Sequence, residues 1–205
     1  MSQRGPYAKG IAKRREIIDV TLDIVARRGW RQTSNAEIAS RVGLSQAGLV
    51  HYYGTREELA IAVLQSKDQY DRQTFFDPNP TFEGFIDVIT HNTSVPGLVQ
   101  LYVECASEAT IDGHAAREFF EGRVARIRAL FAKVIENGQA SGDVGPDVDI
   151  PVTSSILMAA ADGLQLQWLL DRSVDMAAQL RLMWDGICTH SWPDASTSVP
   201  GAAGG

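Results

Sequence analysis

Apolar residues recur at helical spacing along most of this chain, and no stretch alternates with the period of a strand. Ile18, Leu22 and Val25 mark a first helix over about 11–28, preceded by residues 1–10, which read as a flexible basic arm. Ser34, followed three residues later by Glu37, has the form of a capping box and opens a short helix with Ile38, Ala39 and Val42 turned inward. Gly43 ends it, because glycine tolerates the left-handed conformation of a helix C-terminus. Leu44 is expected to be the buried residue of a tight turn, and Ser45 to cap a second short helix carrying Leu49 and Tyr52. A longer helix starts after Thr55, runs through Leu59 and Val63 toward Tyr70, and is broken by Asp77-Pro78-Asn79-Pro80.

The remaining pattern predicts five more helices. One covers about 81–92, with Phe82, Phe85, Ile86 and Ile89 on one stripe. Pro96 suits the first turn of the next, about 96–109, and Asp112-Gly113 makes a turn. A long helix over about 114–138 carries Phe120, Val124, Ile127, Phe131 and Val134. After the loop 141–146, Asp149 caps a helix with Pro151 in its first turn, ending near Leu170; a last helix takes about 175–190. The composition of residues 192–205 is that of a disordered tail. The expected fold class is all-α, with about nine helices. A three-helix domain over 1–55 is joined by one long helix to a helical body over 56–191.

Two short capped helices joined by a glycine turn form a helix-turn-helix, whose second helix enters the major groove of DNA. The stretch TSNAEIASRVGLSQAGLVHYYGTREEL, residues 33–59, resembles the DNA-binding domain of TetR-family transcriptional regulators. Gly29-Trp30 precedes it, and the closing Tyr52-Tyr53 and Thr55-Arg56-Glu57-Glu58-Leu59 make the resemblance specific over the first quarter of the chain. The recognition helix departs from the common family pattern at Gln46 and Val50. If residues 46–52 are helical, Gln46, Ala47, Val50 and His51 lie near its exposed N-terminal face, behind the Ser45 cap. Glutamine can pair with adenine, small apolar groups can meet a thymine methyl, and Ala47 and Gly48 let the backbone come close. Thr33 and Ser34, opening the preceding helix, are candidates for phosphate contacts through its positive dipole end. The resemblance adds Tyr52, through its hydroxyl, and Arg56, matching the family's usual lysine.

Charge supports one-ended contact with DNA. The chain of 205 residues carries a formal net charge of −6, yet residues 1–60 sum to +4 and the remainder to −10. A basic head on an acidic body suits a protein that meets phosphates at one end. The 44% apolar content is enough for a substantial core. No apolar run approaches the length of a membrane span and no signal peptide is visible, so a cytoplasmic protein without membrane contact is expected. Cys105 and Cys188 match no metal or redox spacing, and no metal or cofactor is expected.

The resemblance implies an inducer pocket in the body, and the aromatic residues there suit a small, largely apolar effector. Candidate pocket residues are Phe85, Ile89, Tyr102, Cys105, Gln165 and Trp168. Residues 96–112 hold Glu104 and Glu108 and no Lys or Arg, so a neutral or cationic molecule is expected over an anion. Met176, Leu180, Met183 and Ile187 form an apolar stripe on the last helix, and Ala160 and Leu164 lie on the helix before it. These six are the expected homodimer interface, because a palindromic operator requires a two-fold protein. The resulting expectation is a repressor released from a double-stranded DNA operator by an effector. A binder of DNA that senses nothing, and an enzyme using a Cys105–His91 or Cys105–His114 dyad, are the alternatives; no catalytic motif is present.

Overall fold

A computed structural model describes residues 6–189. The expected tail, 192–205, the first five residues of the expected arm, and His190 lie outside the described residues. Among the described residues are nine α-helices and no strand: α1 Pro6–Arg28, α2 Asn35–Arg41, α3 Gln46–Tyr53, α4 Arg56–Asp71, α5 Phe82–Thr93, α6 Pro96–Glu108, α7 Arg117–Ser141, α8 Ile150–Leu170 and α9 Met176–Thr189. The arm expectation fails for residues 6–10, which are the opening turns of α1. Proline at a first helical position costs nothing, since the amide it lacks has no intrahelical partner there.

Capping chemistry sets the ends of the short helices. Ser34 Oγ accepts the Glu37 amide at 3.1 Å, and Ser45 Oγ accepts the Gly48 amide at 3.1 Å. The box expected at Ser34 is only half closed: the Glu37 carboxylate turns to Arg28, 3.1 Å, and Arg41, 3.5 Å. A complete box stands instead at α4, where Thr55 Oγ1 accepts the Glu58 amide at 3.1 Å and Glu58 Oε2 accepts the Thr55 amide at 3.4 Å. Gly43 takes φ 67° in the turn between α2 and α3, and Leu44 there is half-buried against the head core. α4 runs on into one π-helical turn, Arg72–Phe76. That turn presses on α5 at Gly84, where a Cβ would lie 2.3 Å from the Phe75 carbonyl oxygen.

Two apolar cores result. The second, in the body, centres on Phe85, Phe131, Ile135, Leu157 and Leu180. The first gathers Ile17, Ile24, Val25, Ile38, Leu49, Leu59 and Val63 from the head, and continues without a break into Leu98, Leu101 and Phe120. Burying one such isoleucine or leucine is worth about 2 kcal/mol, so the head leans on α6 for part of its stability. The expected single joint through α4 is therefore one of two. The other is α1 against α6, with an Arg31–Glu104 surface ion pair at 2.8 Å just beyond the end of α1. Among the described residues, no helix is long and apolar enough to cross a membrane.

Candidate nucleic-acid interface and body cavity

α3 is anchored by one side and free on the other. Leu49 is buried in the head core, whereas Ser45, Gln46, Ala47, Val50 and His51 are exposed, Val50 at 49%. Gly48 lies between these faces, half-buried, with the Ser45 hydroxyl against it. Tyr52 and Tyr53 are half-buried beneath the Arg14 guanidinium, 6.0 and 5.3 Å from their ring centres. Tyr53 donates its hydroxyl to the Arg14 carbonyl at 2.9 Å, and burial pushes its pKa up. The sequence-predicted base-reading residues therefore share the exposed face of a capped helix, Gln46 and Ala47 in its first turn and Val50 and His51 one turn further on.

The expected phosphate contacts divide. Ser34 is exposed at the start of α2. Thr33, only 2% exposed, is part of the interior: its hydroxyl donates to the Gly29 carbonyl at 2.8 Å and its amide to the Trp30 carbonyl at 3.0 Å. Arg56 is likewise turned into the head. Its Nη2 donates to the carbonyls of Trp30, 2.7 Å, and Thr33, 2.6 Å, its Nη1 to Asn35 Oδ1, 3.2 Å, and the guanidinium lies 4.0 Å from the Trp30 ring centre. Burial lowers its pKa. This geometry makes Arg56 a clamp between α4 and the entry to α2.

The family model for bacterial regulatory proteins of the TetR family matches residues 17–63, and that for the BetI-type transcriptional repressor C-terminal domain matches residues 87–191. The chain belongs to the TetR family. Among curated relatives it is similar to the HTH-type transcriptional regulator UidR of Escherichia coli K12, at 23% identity over 87% of this chain and 94% of UidR. Among solved structures it is similar to a TetR transcription regulator from Haloarcula marismortui, with a TM-score of 0.73 at 20% identity, covering 87% of this chain and 97% of that one. It is also similar to a transcriptional regulator from Saccharomonospora viridis solved in complex with choline, with a TM-score of 0.65 at 22% identity, covering 85% and 94%. TetR-family regulators bind DNA and small molecules and typically form dimers.

The body encloses a cavity of about 170 Å³ between α4, α5, α6, α7 and α8. Of the expected pocket residues, Phe85, Ile89, Tyr102 and Gln165 lie on its wall. Two do not. Trp168 lies beyond it, under the Arg172 guanidinium at 3.8 Å, beside a separate groove that Met176 also lines. Cys105 faces away, toward a groove lined by Trp30, Arg56, Glu104, Glu108 and His114. The volume is below the few hundred Å³ usual for drug-sized ligands. It suits a molecule near the size of benzene, which an engineered cavity of about 150 Å³ accepts.

The wall is more charged than the sequence suggested. Lys67, Asp68, Asp71 and Arg72 reach it from the α4 end, Arg123 and Arg126 from α7, and Asp162 from α8. The absence of basic residues over 96–112 misled, because the cations come from other elements. Arg123 Nε donates to both oxygens of Asp68, 3.1 Å each, and its Nη1 to the Tyr102 hydroxyl, 3.1 Å. Tyr102 donates in turn to Asp162 Oδ1 at 2.9 Å. Lys67 donates to Asp71 Oδ2 at 2.5 Å, leaving Asp71 Oδ1 buried with no partner. Burial pushes the pKa values of Tyr102, Asp71 and Asp162 upward. Asn92 donates to Gln165 at 3.4 Å. A signal for Arg123 was present: it stands three residues from Phe120 and four from Ile127, on the inner face of α7. Val124, one of the apolar residues carried by this helix, is exposed.

The predicted dimer stripe is used within the chain. Leu180 is 0% exposed, Met176 and Leu164 are buried, and Met183, Ile187 and Ala160 pack against the same core. α9 turns this stripe onto α5 and α8, so an interface built on Met176, Leu180 and Leu164 has no surface to offer. Trp184 stacks on Phe82 at 4.5 Å within the same packing. The outer face of α8 is open and apolar instead: Val152, Ile156, Leu166 at 48% and Leu170 at 83%. With the exposed Ala159 and with Gly163, beside which a Cβ would touch nothing, these positions follow one helical face.

Of the dyad candidates, His114 lines the same groove as Cys105, whereas His91 packs elsewhere. His91 packs with Tyr70 and Phe75, ring centres 5.9 and 6.1 Å away. His114 Nδ1 accepts the Ala116 amide at 3.2 Å, and its Nε2 faces Glu108 at 3.8 Å. Burial, with Glu108 and Glu104 nearby, pushes the Cys105 thiol up to about 12, far from a nucleophile's range. No cluster of potential metal ligands occurs among the described residues.

Proposed function

We propose that this chain is a cytoplasmic, homodimeric repressor that a small molecule releases from a palindromic operator. The observation that carries the reading is the one-sided anchoring of α3, with Leu49 locked in the core and Gln46, Ala47, Val50 and His51 left free on its outer face. Ser45 and Gly48 at the start of α3, Ser34 at the start of α2, and Tyr52 toward the end of α3 complete the proposed contacts with DNA. Thr33 and Arg56 serve these indirectly, by fixing how α2 leaves α1.

The dimer forms through the outer face of α8, an apolar surface of the kind that four-helix packing across a two-fold axis buries. The effector occupies the cavity against Phe85, Ile89, Tyr102 and Gln165. α4 carries both cavity residues and the head, so a ligand that displaces α4 alters the spacing of the two recognition helices. It must bind the displaced state better than the DNA-bound state, or it shifts nothing. A reporter placed behind the chain's own promoter tests the reading: supplying the chain lowers expression, and Gln46→Ala, which leaves the fold intact, relieves that repression. Equal expression with and without the chain would overturn it.

A further inference from the structure

The cavity wall holds four cationic side chains, Lys67, Arg72, Arg123 and Arg126, against three carboxylates, Asp68, Asp71 and Asp162. Each carboxylate already accepts a hydrogen bond, two of them from cations and Asp162 from a neutral hydroxyl. Asp68 accepts twice from Arg123, Asp71 accepts from Lys67, and Asp162 accepts from Tyr102. The cations are not all engaged. Arg126 has only a long contact to Asp68, 3.8 Å, and its side chain is 60% exposed. Arg72, exposed at the first position of the π-helical turn, has no ion-pair partner among the described residues. The unpaired Asp71 Oδ1 does not favour a cationic ligand, because it is sealed off and its carboxylate faces Lys67. The apolar part of the wall is supplied by Phe76, Phe85, Ile127, Phe131 and Met158, beside the buried polar pair Asn92 and Gln165.

We infer that the cavity takes an amphipathic monocarboxylate, its apolar body among these side chains and its carboxylate on Arg72 and Arg126 at the rim. This rests on reading the cavity as the effector site and adds the class of effector. An ammonium head would meet four cations against three carboxylates, each of which already accepts a hydrogen bond. A carboxylate head would meet guanidinium donors that form charge-assisted hydrogen bonds in pairs. The volume of about 170 Å³ admits one aromatic ring or a short branched chain, with the head outside.

The test uses three probes of one shape on the full chain without DNA: 3-phenylpropanoate, 3-phenylpropanamide and protonated 3-phenylpropylamine, titrated by calorimetry. The carboxylate is expected to bind about tenfold or more tighter than the amide, and the amine weakest. In the double variant Arg72→Gln, Arg126→Gln, both at exposed positions, the carboxylate should fall to the level of the amide while the amide's affinity stays put. Binding of none of the three, a preference for the amine or amide, or an undiminished carboxylate preference in the double variant would overturn the inference. Operator affinity is measured separately with the same probes. Selective carboxylate binding that leaves DNA bound supports this site chemistry and defeats the effector reading, while DNA release by the amide alone does the reverse.

Discussion

Gly97, in the first turn of α6, lies so close to the carbonyl oxygen of Val25 in α1 that a Cβ would stand 1.9 Å from it. The same Cβ would be 3.0 Å from Gly29 Cα. Only a residue without a side chain lets the two backbones meet, and the opposing atoms are main chain, which cannot rotate away. This is where the DNA-binding head rests on the body, apart from α4. Gly97→Ala is therefore expected to push α1 off α6, costing about 1–3 kcal/mol, and to lower operator affinity by disturbing the head's orientation. Urea unfolding and operator titration of the variant check this. Unchanged values for both would show that the contact has slack.

Arg56 binds two carbonyls and the Asn35 side chain within the head. Arg56→Gln should destabilise the chain by about 2 kcal/mol. It should weaken binding to all DNA alike with no change in how log affinity falls with log salt. A residue that neutralised a phosphate would instead flatten that slope by about one when removed. Melting curves and salt titrations on the same preparations distinguish the two. A flattened slope with unaltered stability would restore the direct phosphate contact that the sequence suggested.

Leu166 and Leu180 make a controlled pair for the dimer. Leu166 faces outward on α8 and Leu180 is sealed in the body core. Leu166→Glu should yield folded monomers with reduced operator affinity, whereas Leu180→Glu, which buries an unpaired charge, should fail to fold. Sedimentation with circular dichroism reads both. A Leu166→Glu protein that still sediments as a dimer would move the interface elsewhere.

The local signals in the sequence were strong where a short segment defines its own structure. The Ser34 and Ser45 caps, the left-handed Gly43 and the inward Leu49 depend on neighbours within a few residues, and each stands in the structure as its chemistry requires. The Thr55–Glu58 box was equally readable, with the right residues three apart. The cavity was less legible, because its charges come from α4, α7 and α8 and only their packing brings them together. Helical periodicity showed that α9 has an apolar stripe, but a stripe does not say whether it covers its own chain or a second copy. The α8 face of Val152, Ile156, Leu166 and Leu170 was present in the pattern too. It is set apart only by the finding that α7 and α9 leave it uncovered. Arg56 misled for a related reason: its position fits DNA contact, while its hydrogen bonds turn it inward.

Selection of binding sites from random DNA by the full chain, with the number of chains per site counted by sedimentation, tests most directly that this is a two-fold DNA-binding regulator. The account predicts a palindrome with half-site centres about one helical turn apart, ~34–36 Å, held by one dimer, and loss of the sequence preference in Gln46→Ala. Enrichment of no sequence, or of an asymmetric site held by a single chain, would contradict it.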